Sequence, residues 1–243
     1  MSYFGRDIKK WDKKPDDPVS EADLAVDALL KDRLCGARPG YGWMSEETED
    51  DPARLSASLV WIVDPIDGTR AFLQGKPEFT VCVALVADGA PILGVVFNPA
   101  TGDFFEAVLG GGARHNGAPI TVTSQDAIAG AKLLSSRRTF QKRDWTDAVE
   151  HAEFTFLGSM AFRLALVAAG RYDATITLAP KSDWDIAAGD LIITEAGGVI
   201  TQADGSNVRY NRPSVRHPDV IAAGPALHRQ LVEGLAERPL PAS

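Results

Sequence analysis

The chain has 243 residues, enough for one large domain or two modest lobes around a shared core. Its apolar fraction of 45% and charged fraction of 24% are those of an ordinary globular protein. A net charge of -8 argues against binding of polymeric nucleic acid, which needs a basic face, and no apolar run is long enough to span a membrane.

The start, "MSYFGRDIKKWDKK", has no signal-peptide apolar core, so a cytoplasmic location is expected. "PVSEADLAVDALLKDRL" reads as a helix capped by Ser20, with Ala22, Val26, Leu29, Leu30 and Leu34 along its stripe. "LVWIVD" reads as a strand, and residues 78–109 as a meander of three strands. Its turns, "DGAP" and "NPATGD", carry the Gly, Pro, Asn and Asp of tight connections. "GGGARHNGAPITV" reads as a glycine-rich crossing, a turn and a further strand. Beyond Ala129 short strands and helices alternate. "KLLSS", "FTFLG", "YDATITL" and "VIAAG" read as strands; "MAFRLALVAAG", "WDIAAGDLIITEAGG" and "ALHRQLVEGLAE" read as helices. The pattern predicts a layered α/β protein with two lobes, residues 1–129 and 130–243.

Cys35 and Cys82 lie in apolar segments without motif spacing and read as free buried thiols. The four histidines lack zinc-ligand spacing. "GGGA" at 110–113 is followed by no Lys-Ser/Thr and reads as a turn or flexible edge, and no G-x-S-x-G elbow is present.

The acidic residues carry more. Glu46 and Glu47 follow the strand-like "YGWM", Asp64 and Asp67 flank Pro65, and Asp185 opens the "WDIAAG" helix. Mg²⁺ is a hard ion that takes oxygen ligands. A turn at Pro65 can bring Asp64, the Ile66 carbonyl and Asp67 to one point. Gly68 then permits close backbone approach, and Thr69 offers a hydroxyl to orient a water. An acidic protein that handles an anion must also screen its own carboxylates, which a divalent cation does well. Singly, each segment is an ordinary turn or solvated loop, and Asp23 by itself completes a capping box, "SEAD", with Ser20. Together they are hard to assign to turns alone.

The set "SEE", "WIVDPIDGTRAF" and "WDIAAGDLIITEAGG" resembles the inositol monophosphatase family of Mg²⁺-dependent, lithium-sensitive phosphatases, over nearly the whole chain. The resemblance implies a layered α/β/α/β/α sandwich of the inositol monophosphatase and fructose-1,6-bisphosphatase type. It also implies two or three Mg²⁺ ions, inhibition by Li⁺ and assembly as a homodimer. It makes Glu46, Asp64, Asp67, Asp185 and the Ile66 carbonyl metal ligands, Glu47 the holder of a metal-bound water, and Asp23 with Thr69 the pair that orients the attacking water. It further implies that Gly68 and Thr69 contact the phosphate and that Gly158 and Ser159, in "GSMA", line the substrate pocket. The implied activity is hydrolysis of a small phosphorylated metabolite by metal-activated water.

Two departures matter. Inositol-directed members place a glutamate where this chain has Leu178, and "GKPEFTVCVAL" with "LAPKSDWDIAAG" looks more like the bacterial 3′(2′),5′-bisphosphate nucleotidase branch. Adenosine 3′,5′-bisphosphate is therefore the expected substrate, ahead of inositol 1-phosphate and then histidinol phosphate. Lys181 and Arg163 are candidates for its second phosphate, or plain surface charges near a helix end. Members usually carry a further helix before the segment matching "DKKPDDPVSEAD"; either the true start lies upstream, or part of a core face is uncovered, with lower stability expected than for a chain extended by that helix. The rival from another class is a non-catalytic descendant that binds a phosphorylated ligand; it would be favoured by loss of a metal carboxylate or of Thr69, and none is lost.

Overall fold

The computed structural model describes residues 1–141, 145 and 149–237. Six helices are used below: α1 (Glu21–Ala37), α2 (Thr69–Leu73), α3 (Arg137–Gln141), α4 (Met160–Ala168), α5 (Asp183–Glu195) and α6 (Pro225–Ala236). Two sheets organise them. The first has seven strands; Gly42–Ser45 pairs in parallel with Leu59–Asp67, and the rest continue as an antiparallel ladder through Thr80–Ala87, Ala90–Asn98 and Asp103–Val108 to two short strands ending at Pro119. The second has five strands, with Ala174–Thr177 between the parallel Lys132–Leu134 and the antiparallel Val220–Ala223.

Period-two alternation sorts the side chains between layers. In Val220–Ala223, Val220 and Ala222 join the central core, while Ile221 and Ala223 join the outer one with Leu227, Leu231 and Leu235 of α6. Val60 and Ile62 likewise face the central core. That core holds α4 and α5 between the sheets; α1 packs on the outer face of the first sheet and α6 on the outer face of the second. The result is the α/β/α/β/α layering. Helix α5 sits very close to the first sheet at Gly94, where a Cβ would lie 2.5 Å from the Ala188 carbonyl oxygen.

Four features depart from the sequence reading. The buried side of α1 carries Ala22, Asp23 and Asp27, while Leu29 is exposed, because hydrogen bonds to the two carboxylates decide which face turns inward. Cys35 is only half-buried, near the open end of α1; Cys82 is buried and both thiols are free. The glycine-rich crossing is a pinned turn: Gly110 and Gly112 donate their N–H groups to the two carboxylate oxygens of Glu195. Residues near the start form a hairpin, Lys10–Asp12 with Pro18–Ser20, and Phe4 packs on Phe72 and Phe79 beneath the Asp64–Thr69 turn. Trp11, Leu24 and Leu29 remain exposed in that part of the molecule. Among the described residues no helix is long and apolar enough to cross a membrane.

Candidate active site

The strand Leu59–Asp67 runs into the interior and breaks register at its end. Asp64 pairs with Cys82 and Asp67 with Thr80, so three steps on one strand match two on the other. Pro65, which has no N–H to give, sits in that bulge. The bulge re-aims the chain so that both acids face one cavity. Asp64 Oδ1 accepts the Ile66 N–H at 3.0 Å, whereas its Oδ2 is buried without a hydrogen-bond partner. Asp67 Oδ2 accepts from the Ser159 hydroxyl (2.7 Å) and the Ala161 N–H (2.6 Å), which ties the strand to the start of α4. Ser159 also caps α4 by accepting the Phe162 N–H at 3.0 Å.

Two helices aim a carboxylate at the same place by the same local device. Ser20 and Ser182 precede α1 and α5, and in each case the third helical residue is aspartate. Asp23 Oδ2 accepts the Ser20 N–H at 2.8 Å; Asp185 Oδ2 accepts the Ser182 N–H at 2.7 Å. Asp23 is thus both cap and site residue, because its other oxygen lies 3.1 Å from the Thr69 hydroxyl. That hydroxyl also lies 3.0 Å from the Ile66 carbonyl. Gly68, which precedes it, has φ of +97°, and a Cβ there would meet the Glu78 carbonyl oxygen at 2.8 Å; glycine is required.

Asp64, Asp67 and Asp185 present oxygens that all lie within 4.8 Å of one another. Burial pushes the Asp67 carboxyl up to about 6, helped by the charge of Asp185. Asp64 is driven well above the usual carboxylate range by burial and by the charges of Glu46, Asp67 and Asp185. A buried, unpaired acceptor beside two further carboxylates is an arrangement that a hard cation relieves, and the donor set is all oxygen. The residues fit Mg²⁺.

Glu46 and Glu47 stand differently. The Lys13 ammonium bridges them, 2.8 Å from Glu46 Oε1 and 2.9 Å from Glu47 Oε1. Burial still raises Glu46 to about 7, with Glu47 and Asp185 adding to the effect against the opposing pull of Lys13. Glu47 is raised by burial as well. Sequence reasoning missed Lys13, which only the hairpin brings here. It also missed Asp27, which accepts the Ser45 hydroxyl on Oδ1 and the Thr48 hydroxyl on Oδ2 (2.7 Å) and so fixes the segment bearing both glutamates. The signal was present: Asp27 stands one helical turn beyond Asp23.

The cavity over these carboxylates measures about 480 Å³ and includes Glu46, Asp64, Asp67, Gly68, Thr69 and Asp185 in its walls. A second, of about 450 Å³, adjoins it at Phe156 and Gly158 and holds Arg163, Leu178 and Lys181 in its walls. Arg163 is buried, with Nε donating to the Leu157 carbonyl at 2.6 Å and Nη2 donating to the same oxygen. Residues predicted from opposite halves of the sequence therefore meet at one two-chambered site.

A family model described as the inositol monophosphatase family matches residues 1–239. The chain belongs to that family. It is 38% identical over 201 residues to an inositol-1-monophosphatase of Rhizobium meliloti, covering 79% of this chain and 75% of the relative. It is 32% identical over 228 residues to the 3′(2′),5′-bisphosphate nucleotidase CysQ of Aggregatibacter actinomycetemcomitans, covering 90% and 85%. The structure of an IMPase from Thermotoga maritima superposes with a TM-score of 0.82 at 31% identity, over 98% of this chain and 91% of that one. The protein is a phosphoric monoester hydrolase of mixed α/β architecture, and its family relatives differ in the substrate they are named for.

Proposed function

We propose that the protein is a Mg²⁺-dependent phosphatase whose substrate is a nucleotide carrying two phosphates, adenosine 3′,5′-bisphosphate. The observation that carries this is the second cavity. It is walled by apolar Ile176, Leu178 and Phe156 and by cationic Arg138, Arg163 and Lys181. Leu178 offers no acceptor to a polyol, while three cations in an acidic protein suit a leaving group that bears its own phosphate. The reading fits a division in which residues 1–129 supply most of the metal ligands, and residues 130–243 add Asp185 and complete the substrate pocket.

Asp64, Asp67, Asp185 and Glu46, with the Ile66 carbonyl, would hold the cation. When bound, it polarises the phosphoryl group and a water and offsets charge on the leaving oxygen. The remaining work falls to the chain. The Thr69 hydroxyl has one proton and two acceptors in reach. With that proton on Asp23, its oxygen keeps lone pairs for a water, and the Ser20 N–H and hydroxyl lock Asp23 in the required rotamer. Glu47, half-buried and raised by burial from its ordinary value, is suited to accept a proton from that water. Gly68 leaves the phosphate room to approach the backbone.

The second reading, inositol 1-phosphate, is favoured by the names of the relatives at 38% and 35% identity, both inositol-1-monophosphatases. Phosphate release with Mg²⁺ from the two substrates at equal concentration separates them. The nucleotide is expected to turn over at least about tenfold faster by kcat/KM, about 1.4 kcal/mol in favour. Preference for inositol phosphate overturns the nucleotide reading.

A further inference from the structure

Phe156 is 65% exposed, more than any other large apolar side chain among the described residues. It is not on open surface. It lies in the walls of both cavities, at their junction, beside Gly158, whose missing side chain leaves open space there. Behind the ring lies Arg163, its guanidinium carbon 4.6 Å from the ring centroid. Arg163 itself is only 6% exposed, and among the described residues no carboxylate is within ion-pair distance of it. Two of its donors go instead to the carbonyl of Leu157, the residue next to Phe156.

The Asp67 charge favours this guanidinium only from beyond ion-pair distance, so its burial is incompletely offset and a role in packing alone does not account for it. Its geometry does two things for Phe156. The paired bonds to Leu157 hold the backbone, and the cation on one face holds the ring plane while withdrawing π density from it. A ring polarised in this way stacks well against an electron-rich planar ring on its free face. The positive charge also favours an anionic guest.

We infer that Phe156, braced by Arg163, is the platform on which a planar ring of the leaving group stacks, and that it sets the preference for ring-bearing over aliphatic phosphomonoesters. The inference rests on the nucleotide reading for the identity of the ring, a purine, but not for the existence of the platform. An aromatic face without edge contacts reads a ring by its plane and is tolerant of its identity.

The test measures kcat/KM in the full chain with Mg²⁺ for adenosine 3′,5′-bisphosphate, 1-naphthyl phosphate and glycerol 2-phosphate. Wild type, Phe156→Ala and Phe156→Trp are compared, each checked for an unchanged melting transition. The readout is the ring-over-glycerol ratio, in which any general loss of activity cancels. That ratio is expected to fall about tenfold in Phe156→Ala and to be retained in Phe156→Trp. A ratio unchanged in Phe156→Ala, or lost equally in both variants, overturns the platform. The nucleotide reading is judged separately, in wild type. If adenosine 3′,5′-bisphosphate is not hydrolysed but the naphthyl-over-glycerol ratio still falls in Phe156→Ala, the nucleotide reading fails and the platform stands.

Discussion

Replacing Asp64 by asparagine should stabilise the metal-free protein while abolishing its activity. Asp64 is 1% exposed, its Oδ2 has no partner, and oxygens of Asp67 and Asp185 lie within 4.8 Å. At an effective dielectric near 20, two full charges at that distance repel by about 3 kcal/mol. An unsatisfied buried acceptor adds about 1–3 kcal/mol. Protonation relieves part of the repulsion in the wild type, so a net gain of about 2 kcal/mol is expected for Asp64→Asn near neutral pH. Its amide keeps an oxygen for the Ile66 N–H and supplies donors toward the neighbouring carboxylates. For a domain of this size the gain corresponds to a melting temperature higher by about 4–8 °C. The assay is thermal unfolding in chelator and again in excess Mg²⁺, beside phosphate release. Wild type should be stabilised by Mg²⁺, through binding to the folded state, and the variant should not. A variant that melts lower than wild type in chelator, or that keeps Mg²⁺-dependent turnover, would refute the reasoning. The pH dependence follows with a definite sign. Asp67 and Glu46 are raised to about 6 and about 7, so the folded state holds protons that the unfolded state has lost. Metal-free wild type should lose stability as pH rises from about 4 to about 7, and Asp64→Asn should flatten that decline.

Two further substitutions test the supports of the site. Asp27→Ala removes the acceptor of the Ser45 and Thr48 hydroxyls and should destabilise by about 2–4 kcal/mol; it should also raise the Mg²⁺ needed for half-maximal activity, because Glu46 and Glu47 lose their anchor. Denaturant unfolding and Mg²⁺ titration check this, and an unchanged Mg²⁺ requirement would confine Asp27 to a structural role. Gly68→Ala forces a Cβ to 2.8 Å from the Glu78 carbonyl at a positive φ, so a loss of at least about 2 kcal/mol is expected together with displacement of Thr69. A variant of wild-type stability and turnover would show that the turn yields easily.

Much of this site was legible in sequence because it is built from local chemistry. The Asp64–Thr69 turn follows from proline and glycine at fixed places, and both capping boxes are written in Ser-x-x-Asp spacing. The meander likewise follows from alternation broken by Asp-Gly and Asn-Pro turns. These depend on interactions a few residues long, which the order of side chains alone determines. Tertiary structure decided the rest. Lys13 lies 33 residues from Glu46 and has no motif to mark it; only the hairpin lays its ammonium between the two glutamates. The inward face of α1 went to Asp23 and Asp27 rather than to Leu29, because their partners Thr69, Ser45 and Thr48 arrive from other elements. Phe156 and Arg163 read as a strand end and a helix residue until folding sets them together at the junction of two cavities. Turns and caps are local agreements between neighbours, whereas a charge clamp, a buried carboxylate or a stacking face exists only once distant segments have packed.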